Sequence, residues 1–393
     1  MKIIQLVLGK ANPDRMNGVN KVAYKLALHQ YELGYDVEVW GIANSLEHNY
    51  PPRPFATKLF RQMPNKLKLD GELRAAIAQA SENTVFHIHG SFIPEFYHIS
   101  RLLKKRGLRY VYTPHGALTA AAMQQSKWRK RIYFNLFERT VIRNAHAVQL
   151  LGEQEYTFID SLMKVPQKVL IPNGMDLDEI PSGIEPAKNE YPVFSFCGRI
   201  DSYHKGLDYM LRGFARLIKM GHRARLELIG DGADRPVLQA LTKELGIEDH
   251  VTWHGARYGD EKYHLMARGD VFLHTSRMEG FPMAVLEAAA LGLPCLTSEP
   301  TNINSFIRKY NAGIPLSELG EEPVTLAMEE ACRLFNENKL ARLGRNARKM
   351  VAEAFDWKNI CRQLYRLYLQ EEPLSAPAES STSSEATMVP NLG

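Results

Sequence analysis

The sequence has few cysteines and no long apolar run. Its four cysteines form no Cys-x-x-Cys pair, which indicates buried reduced thiols and argues against a disulfide framework. No apolar run reaches the roughly 18–20 residues that a helix needs to cross a bilayer. The apolar stretch at residues 1–8 is too short for a signal peptide and predicts a first strand instead. We therefore expect a cytoplasmic protein.

Two common ligand-binding signatures are also missing. The G-x-G-x-x-G fingerprint of dinucleotide-binding proteins is absent, and residues 230–235 lack its third glycine. His87 and His89 share one face of a predicted strand, but no third metal ligand follows at a suitable spacing. Asp176 and Asp178 form a D-x-D pattern directly after a predicted turn, so we interpret them as part of that turn. We expect no metal site.

Acidic residues are scarce in one stretch of the chain. Between Arg101 and Leu150 eleven residues are Lys or Arg and one, Glu138, is acidic, although the net charge is only +5. Residues 127–137 alternate basic side chains with aromatic and aliphatic ones. This pattern fits contact with an anionic membrane surface at the inner face of the membrane, contact with nucleic acid, or a helix with one solvated basic face. We favour the membrane over nucleic acid.

Short apolar runs alternate with helical stretches, which predicts an α/β fold of parallel sheets with crossover helices. Residues 1–178 form one predicted Rossmann-like domain and residues 193–355 a second, joined by a linker at 179–192 that is rich in proline and charge. A helix at about 356–370 follows, and the Ser-, Pro- and Glu-rich tail at 371–393 is predicted to be disordered. Two such doubly wound sheets place a ligand cleft between the carboxyl ends of their strands.

The strongest motif joins Glu279 and Glu287. Residues 283–291 are apolar except for Glu287, so the helix that they predict is buried. A buried carboxylate is costly unless donors bind it, and ribose hydroxyls would supply such donors. Glu279 precedes the helix and is expected to face the cleft. The amides of Gly280 and Phe281 lie near the helix N-terminus, where a phosphate binds well.

Further candidate residues follow predicted strands. Arg199 and Lys205 come after the first strand of the second half, where two cations would neutralise a diphosphate leaving group. In the first half, Gly18 opens a helix after a strand and would let a ligand approach the backbone closely. His115 ends a strand and is expected to face the cleft. A structural role remains open for each of these residues.

Together these residues resemble glycosyltransferase family 4, the large family of retaining nucleotide-sugar-dependent transferases with the GT-B fold. The segment from Glu279 to Glu287 resembles the E-x7-E motif of the family. Other matching segments are residues 172–176, 198–199, 205–206, 115–116, 253–255 and 355–357. The match extends to about residue 370 in the expected order. One departure is Asn17-Gly18, where the family often has two glycines.

The resemblance implies two Rossmann-like domains that face each other across a cleft, with the last helix crossing back to the first domain. It implies that Glu287 holds the ribose, Glu279 the sugar, and Arg199 and Lys205 the diphosphate, while His115 lines the reaction centre. It also implies a UDP- or GDP-linked hexose donor, a glycan or polyprenyl-linked acceptor, no cofactor and a metal-independent reaction. An epimerase of nucleotide sugars and a non-catalytic nucleotide-sugar-binding protein remain as alternatives.

Overall fold

The computed structural model describes residues 1–12, 18–48, 50, 52–124, 126–184 and 187–371. These residues form two parallel sheets, one in each half of the chain. Asn17 and all of the predicted tail after Glu371 lie outside the described residues.

The first sheet has the strand order β3-β2-β1-β4-β5-β6-β7. Its strands are β1 (Lys2–Leu8), β2 (Asp36–Ala43), β3 (Ala56–Arg61), β4 (Thr84–His89), β5 (Arg109–Thr113), β6 (Ala147–Leu150) and β7 (Lys168–Leu170). The second sheet has the order β10-β9-β8-β11-β12-β13. Its strands are β8 (Val193–Cys197), β9 (Arg225–Ile229), β10 (Val251–Gly255), β11 (Val271–His274), β12 (Cys295–Thr297) and β13 (Gly313–Pro315). In each sheet the order reverses beside the first strand, which places a ligand crevice at its carboxyl end.

Helices cover both sheets. Those of the first half are α1 (Gly18–Glu32), α2 (Gly71–Gln79), α3 (Pro94–Lys105), α4 (Ala120–Gln124), α5 (Lys127–Tyr133), α6 (Arg139–Asn144) and α7 (Glu153–Leu162). The others are α8 (Ser202–Lys205), α9 (Leu207–Lys219), α10 (Arg235–Leu245), α11 (Gly259–Met266), α12 (Met283–Ala290), α13 (Asn304–Tyr310), α14 (Glu321–Asn336), α15 (Leu340–Ala354) and α16 (Trp357–Leu369). The sequence predicts one helix over residues 132–143. A π-helical turn, Phe134–Glu138, interrupts it and joins α5 to α6.

The last helix, α16, returns to the first sheet. Its apolar side chains recur every three or four residues and form one core with β1 and α1: Trp357, Ile360, Cys361, Leu364, Leu367 and Tyr368. The Asp356 carboxylate caps this helix by accepting from the amide of Asn359 at 3.0 Å. The two facing Rossmann-like sheets and the returning helix confirm the predicted fold class.

The sequence did not predict β3 and β13, which are both edge strands. The side chains of β3 are mostly exposed, and β13 has three residues and ends at Pro315. Such strands bury only one face or none, so they lack the continuous apolar run that marks a central parallel strand.

Candidate active site

Glu279 lies in the loop between β11 and α12, at the carboxyl edge of the second sheet. Its carboxylate forms an ion pair with Lys205, from the end of α8. It also accepts from His274 Nε2 at 3.0 Å and from Ser276 Oγ at 3.5 Å. We call these four residues the Glu279 cluster. They come from two segments, the end of α8 and residues 274–279, which meet because parallel strands end at one edge.

The cluster holds Glu279 in its ionised form. Burial alone would raise the pKa of this carboxyl, but the hydrogen bond from His274 and the charge of Lys205 outweigh it and lower the pKa to about 2. Burial lowers the pKa of His274, so its neutral imidazole donates through Nε2. The sequence prediction missed His274, although its place at the end of a strand, just before Glu279, was a usable signal.

Glu287 is buried on α12, as its apolar neighbours predicted. Its Oε1 lies 2.8 Å from Lys262 Nζ, which α11 supplies. The positive charge offsets part of the cost of burying the carboxylate. Burial and the Glu287 charge raise the pKa of the neighbouring Tyr263 phenol. Lys262 lies on a short helix whose sequence is typical of a solvent-exposed helix, so no local pattern distinguishes it.

The loops from the two halves of the chain touch at two glycines. A Cβ atom on Gly116 would collide with the Cα atom of Gly280. A Cβ on Gly280 would lie 3.1 Å from the carbonyl oxygen of His115. Gly116 also has φ +79°, a conformation that favours glycine. The helix α12 begins at Met283, directly after Pro282, as predicted.

His115 lines a cavity of about 180 Å³ between the two halves. Its Nε2 lies 3.0 Å from Nδ1 of His89, and burial lowers the pKa of His115 to about 4. Phe281, Met283 and Trp357 line the same cavity, as does Gly18. Among the described residues outside α1, none would lie within 4 Å of a Cβ atom on Gly18.

The two predicted diphosphate-binding cations occupy different environments. The Lys205 side chain is largely buried in the Glu279 cluster, whereas the Arg199 side chain is 65% exposed. Within the described part of the chain, Arg199 pairs with Asp201 at 2.9 Å and with no member of the Glu279 cluster. Lys205 therefore belongs to the Glu279 cluster, whereas the partner of Arg199 in the described part of the chain is Asp201.

Asp176 takes part in ion pairs. Its carboxylate lies 2.7 Å from Lys25 Nζ and 2.7 Å from His29 Nε2, so it ties the chain after β7 to α1. Nowhere in the described ranges do three or more His, Cys, Asp or Glu side chains form a group suited to a metal ion. The four cysteines are all buried and free. Among the described helices, none is both long and apolar enough to cross a membrane.

Glu155 on α7 supports the loop that carries His115. Its buried carboxylate accepts from the amide of Leu118 at 3.1 Å. Burial raises the pKa of Glu155 to about 7, against 4.5 as the ordinary value, and backbone hydrogen bonds only partly offset this.

Because the folded-state pKa is raised, Glu155 destabilises the fold as pH rises through about 7, where the folded protein must bury a charge. We therefore expect Glu155→Gln to gain stability relative to wild type between pH 5 and pH 8, by about 3 kcal/mol. Chemical denaturation at both pH values measures this difference. Glu153→Gln, exposed on the same helix, is the control and should show no such trend. If the stability difference between Glu155→Gln and wild type were equal at both pH values, it would contradict the raised pKa of Glu155.

Known protein families match both halves of the chain. The family model for glycosyltransferase family 4 matches residues 16–179, and the model for glycosyl transferases group 1 matches residues 180–350. The chain is 26% identical over 389 residues to N-acetyl-alpha-D-glucosaminyl L-malate synthase of Bacillus anthracis, covering 93% of this chain and 97% of that protein.

Two solved structures share the fold across 93–94% of this chain and 99–100% of theirs. One is WaaG, a glycosyltransferase involved in lipopolysaccharide biosynthesis, with a TM-score of 0.66 and 18% identity. The other is Anabaena Alr3699/HepE in complex with UDP and glucose, with a TM-score of 0.68 and 18% identity. With the two family models matching consecutive halves, the chain belongs to glycosyltransferase family 4 and is a glycosyltransferase with the GT-B fold.

Proposed function

We propose that this enzyme transfers a hexose or hexose derivative from a UDP- or GDP-linked donor, with retention of configuration, to a glycan or lipid-linked glycan of the cell surface. The Glu279 cluster, at the point where Gly280 meets Gly116, carries the proposal. The UDP and glucose held by the HepE structure and the lipopolysaccharide role of WaaG support the donor and acceptor classes.

The proposed roles follow from charge and position. Lys205 has three N–H donors, so it can keep its pair with Glu279 and also bind a diphosphate oxygen. Glu279, ionised and held by His274, accepts from hydroxyls of the transferred sugar. Glu287 accepts from the ribose hydroxyls, with Lys262 orienting its carboxylate. Gly18, Phe281 and the Gly280 amide border the donor, and Arg199 reaches the diphosphate from the rim.

The proposed reaction occurs on one face of the sugar. The bond between C1 and the β-phosphate oxygen breaks, and the acceptor oxygen bonds to C1 from the same side. The departing phosphate oxygen takes the acceptor's proton, so the protein supplies position and electrostatic stabilisation. His115 lines this centre from the other half of the chain. No step requires a metal ion, because Lys205 stabilises the leaving diphosphate.

The test begins with UDP- and GDP-linked sugars, screened for a rise in Tm and for release of the nucleoside diphosphate. The anomeric configuration of the product is then read from its C1 proton coupling by NMR. We expect one donor to stabilise the protein and to give a product with the donor's configuration. An inverted product would contradict retention, and no stabilisation by any donor would contradict the proposed site.

The same NMR assay separates the alternatives. An epimerase would convert the donor to its stereoisomer in the absence of an acceptor. A binding protein would be stabilised by a donor and release no nucleotide. The complete Glu279 cluster favours a transferase over the binding protein, since each charged member has its partner in place.

We also propose that α5 rests on an anionic membrane. Its apolar side chains Trp128 and Ile132 and the following Leu136 are 76%, 58% and 60% exposed. Spaced four residues apart, they share one side of the helix. The neighbouring basic side chains are exposed as well: Lys127, Arg129 and Arg131. An apolar stripe beside cations matches an anionic lipid surface.

We expect the double variant Trp128→Ser/Ile132→Ser to weaken binding to phosphatidylglycerol vesicles by roughly tenfold or more, because it removes most of the apolar stripe. Co-sedimentation measures the bound fraction. The control Val237→Ser changes a side chain that is 67% exposed in the other half of the chain and should bind like wild type. If wild type fails to bind these vesicles, the membrane contact is wrong and the transferase proposal is unaffected.

A further inference from the structure

A series of buried polar side chains, linked by hydrogen bonds, connects the segment that follows β7 to His115. Each of its members is at most 3% exposed. In order, they are Gln149, Thr113, His87, Tyr368, Gln30, Gln5 and His89. We call them the buried relay. It passes through the core between the first sheet and the helices α1 and α16.

The direction of its hydrogen bonds is set at one end. The backbone carbonyl of Ile171 can only accept, so Gln149 donates its Nε2–H to it at 2.8 Å. The Gln149 amide oxygen therefore faces Thr113, whose hydroxyl donates to it at 2.8 Å. The Thr113 oxygen then accepts from His87 Nε2–H at 2.7 Å.

The direction continues through α16. Burial lowers the pKa of His87 to about 3, so the ring is neutral and its single proton is on Nε2. Nδ1 of His87 must then accept from the Tyr368 hydroxyl at 2.7 Å. The Tyr368 oxygen in turn accepts from Gln30 Nε2–H at 3.4 Å.

The last steps reach the cavity. Gln30 Oε1 accepts from Gln5 Nε2–H at 2.7 Å, and Gln5 Oε1 accepts from His89 Nε2–H at 2.6 Å. Burial lowers the pKa of His89 well below its ordinary value, so Nδ1 of this neutral ring has no proton. It can only accept from His115 Nε2–H, 3.0 Å away.

We infer that the buried relay fixes His115, which lines the cavity, in the tautomer that has its proton on Nε2, and that its unprotonated Nδ1 is the nitrogen able to accept from a substrate hydroxyl. The reverse direction would require the Ile171 carbonyl to donate. Gln5, His89 and Tyr368 are therefore positioning residues, and α16 contributes to the reaction centre through Tyr368. The role toward a substrate rests on the proposed function, whereas the tautomer does not.

The tautomer is measured by ¹⁵N NMR on protein labelled at histidine, because protonated and unprotonated ring nitrogens resonate far apart. The His115 signals are assigned by their loss in His115→Gln. We expect a proton on Nε2 and none on Nδ1 at neutral pH. A proton on Nδ1, or an averaged pair of signals in wild type, would overturn the inference. This readout requires no donor, acceptor or activity.

Tyr368→Phe removes the hydroxyl that joins Gln30 to His87 and leaves the ring in place. Gln30, Gln5, His89 and His115 are then no longer tied to the Ile171 carbonyl, so we expect His115 to populate both tautomers. With the donor identified, kcat should fall by about twofold to tenfold, in proportion to the lost tautomer. The Kd of the nucleoside diphosphate should not change, since its proposed site lies in the other half of the chain.

Tyr365→Phe, on the same helix, is the matched control. Tyr365 stacks on Tyr35 with ring centroids 4.1 Å apart and lies outside the buried relay. We expect it to keep the wild-type tautomer and kcat. If Tyr368→Phe also keeps both, α16 has no part in positioning His115. If wild type shows the expected tautomer but transfers no sugar from any donor, the proposed function fails and the relay stands.

Discussion

Replacing Lys205 with alanine should lower kcat/KM for the sugar donor by about 10²–10³-fold. Lys205 is the cation of the Glu279 cluster, and in the proposed reaction it stabilises the departing diphosphate. Removing one preorganised group that stabilises developing charge costs roughly 2.7–4 kcal/mol in the transition state. The loss is increased by the carboxylate of Glu279, which would then meet the diphosphate with no cation between them.

Steady-state kinetics with the identified donor measures this effect. Lys243→Ala removes a lysine whose side chain is 71% exposed, and it should stay close to wild type. If kcat/KM of Lys205→Ala stayed within about threefold of wild type, Lys205 would not belong to the donor site, because one surface charge commonly has an effect of that size.

A double variant separates catalysis from stability. Lys205→Ala leaves Glu279 buried and without its cation, so the protein should lose stability. Adding Glu279→Gln removes that buried charge, and Tm should recover while activity remains low. Recovery of both would contradict the proposed roles of Lys205 and of Glu279 in binding the donor.

Replacing Trp357 with alanine should cost about 3–5 kcal/mol of the free energy of unfolding, the usual range for a buried tryptophan. Trp357 is 5% exposed at the start of α16. Its indole packs so closely on Gly174 that a Cβ atom there would collide with it, and it stacks on His29 at 5.7 Å between ring centroids. The side chain thus packs α16 against both α1 and the segment that follows β7.

Chemical denaturation measures the loss. Trp128→Ala is the matched control, because this side chain is 76% exposed on α5 and its removal should change stability by less than about 0.5 kcal/mol. Trp357 also lines the cavity beside His115, so donor binding should weaken at the same time. Equal stability of the two tryptophan variants would contradict the packing of α16 against the first sheet.

Local sequence patterns were enough where an element is buried on all sides. The run around Glu287 predicted the buried helix α12, and the apolar runs of β1 and β4 predicted central strands. The patterns failed at the exposed edge strand β3. They also failed at the π-helical turn Phe134–Glu138, where the pattern alone predicts one continuous helix.

Local sequence patterns did not predict which residues pair with the candidate site residues. Glu279 was found as an acid in the loop before a helix, and Glu287 as the single acid of an apolar helix, but their partners lie far away in sequence. Lys205 is 74 positions from Glu279, and Lys262 is 25 from Glu287. For Arg199 the sequence motif predicted a contact with the diphosphate, whereas the tertiary structure pairs this side chain with Asp201.

By itself the sequence determined the alternation of buried strands and helices, the doubly wound class and the identity of the acids and cations near the strand ends. These properties follow from side-chain burial over a few neighbouring residues. Only the tertiary structure decided which charges meet and which nitrogen of His115 contacts His89. The direction of a hydrogen bond depends on every donor and acceptor linked to it, and here those links join residues as distant as Gln30 and Tyr368, 338 positions apart.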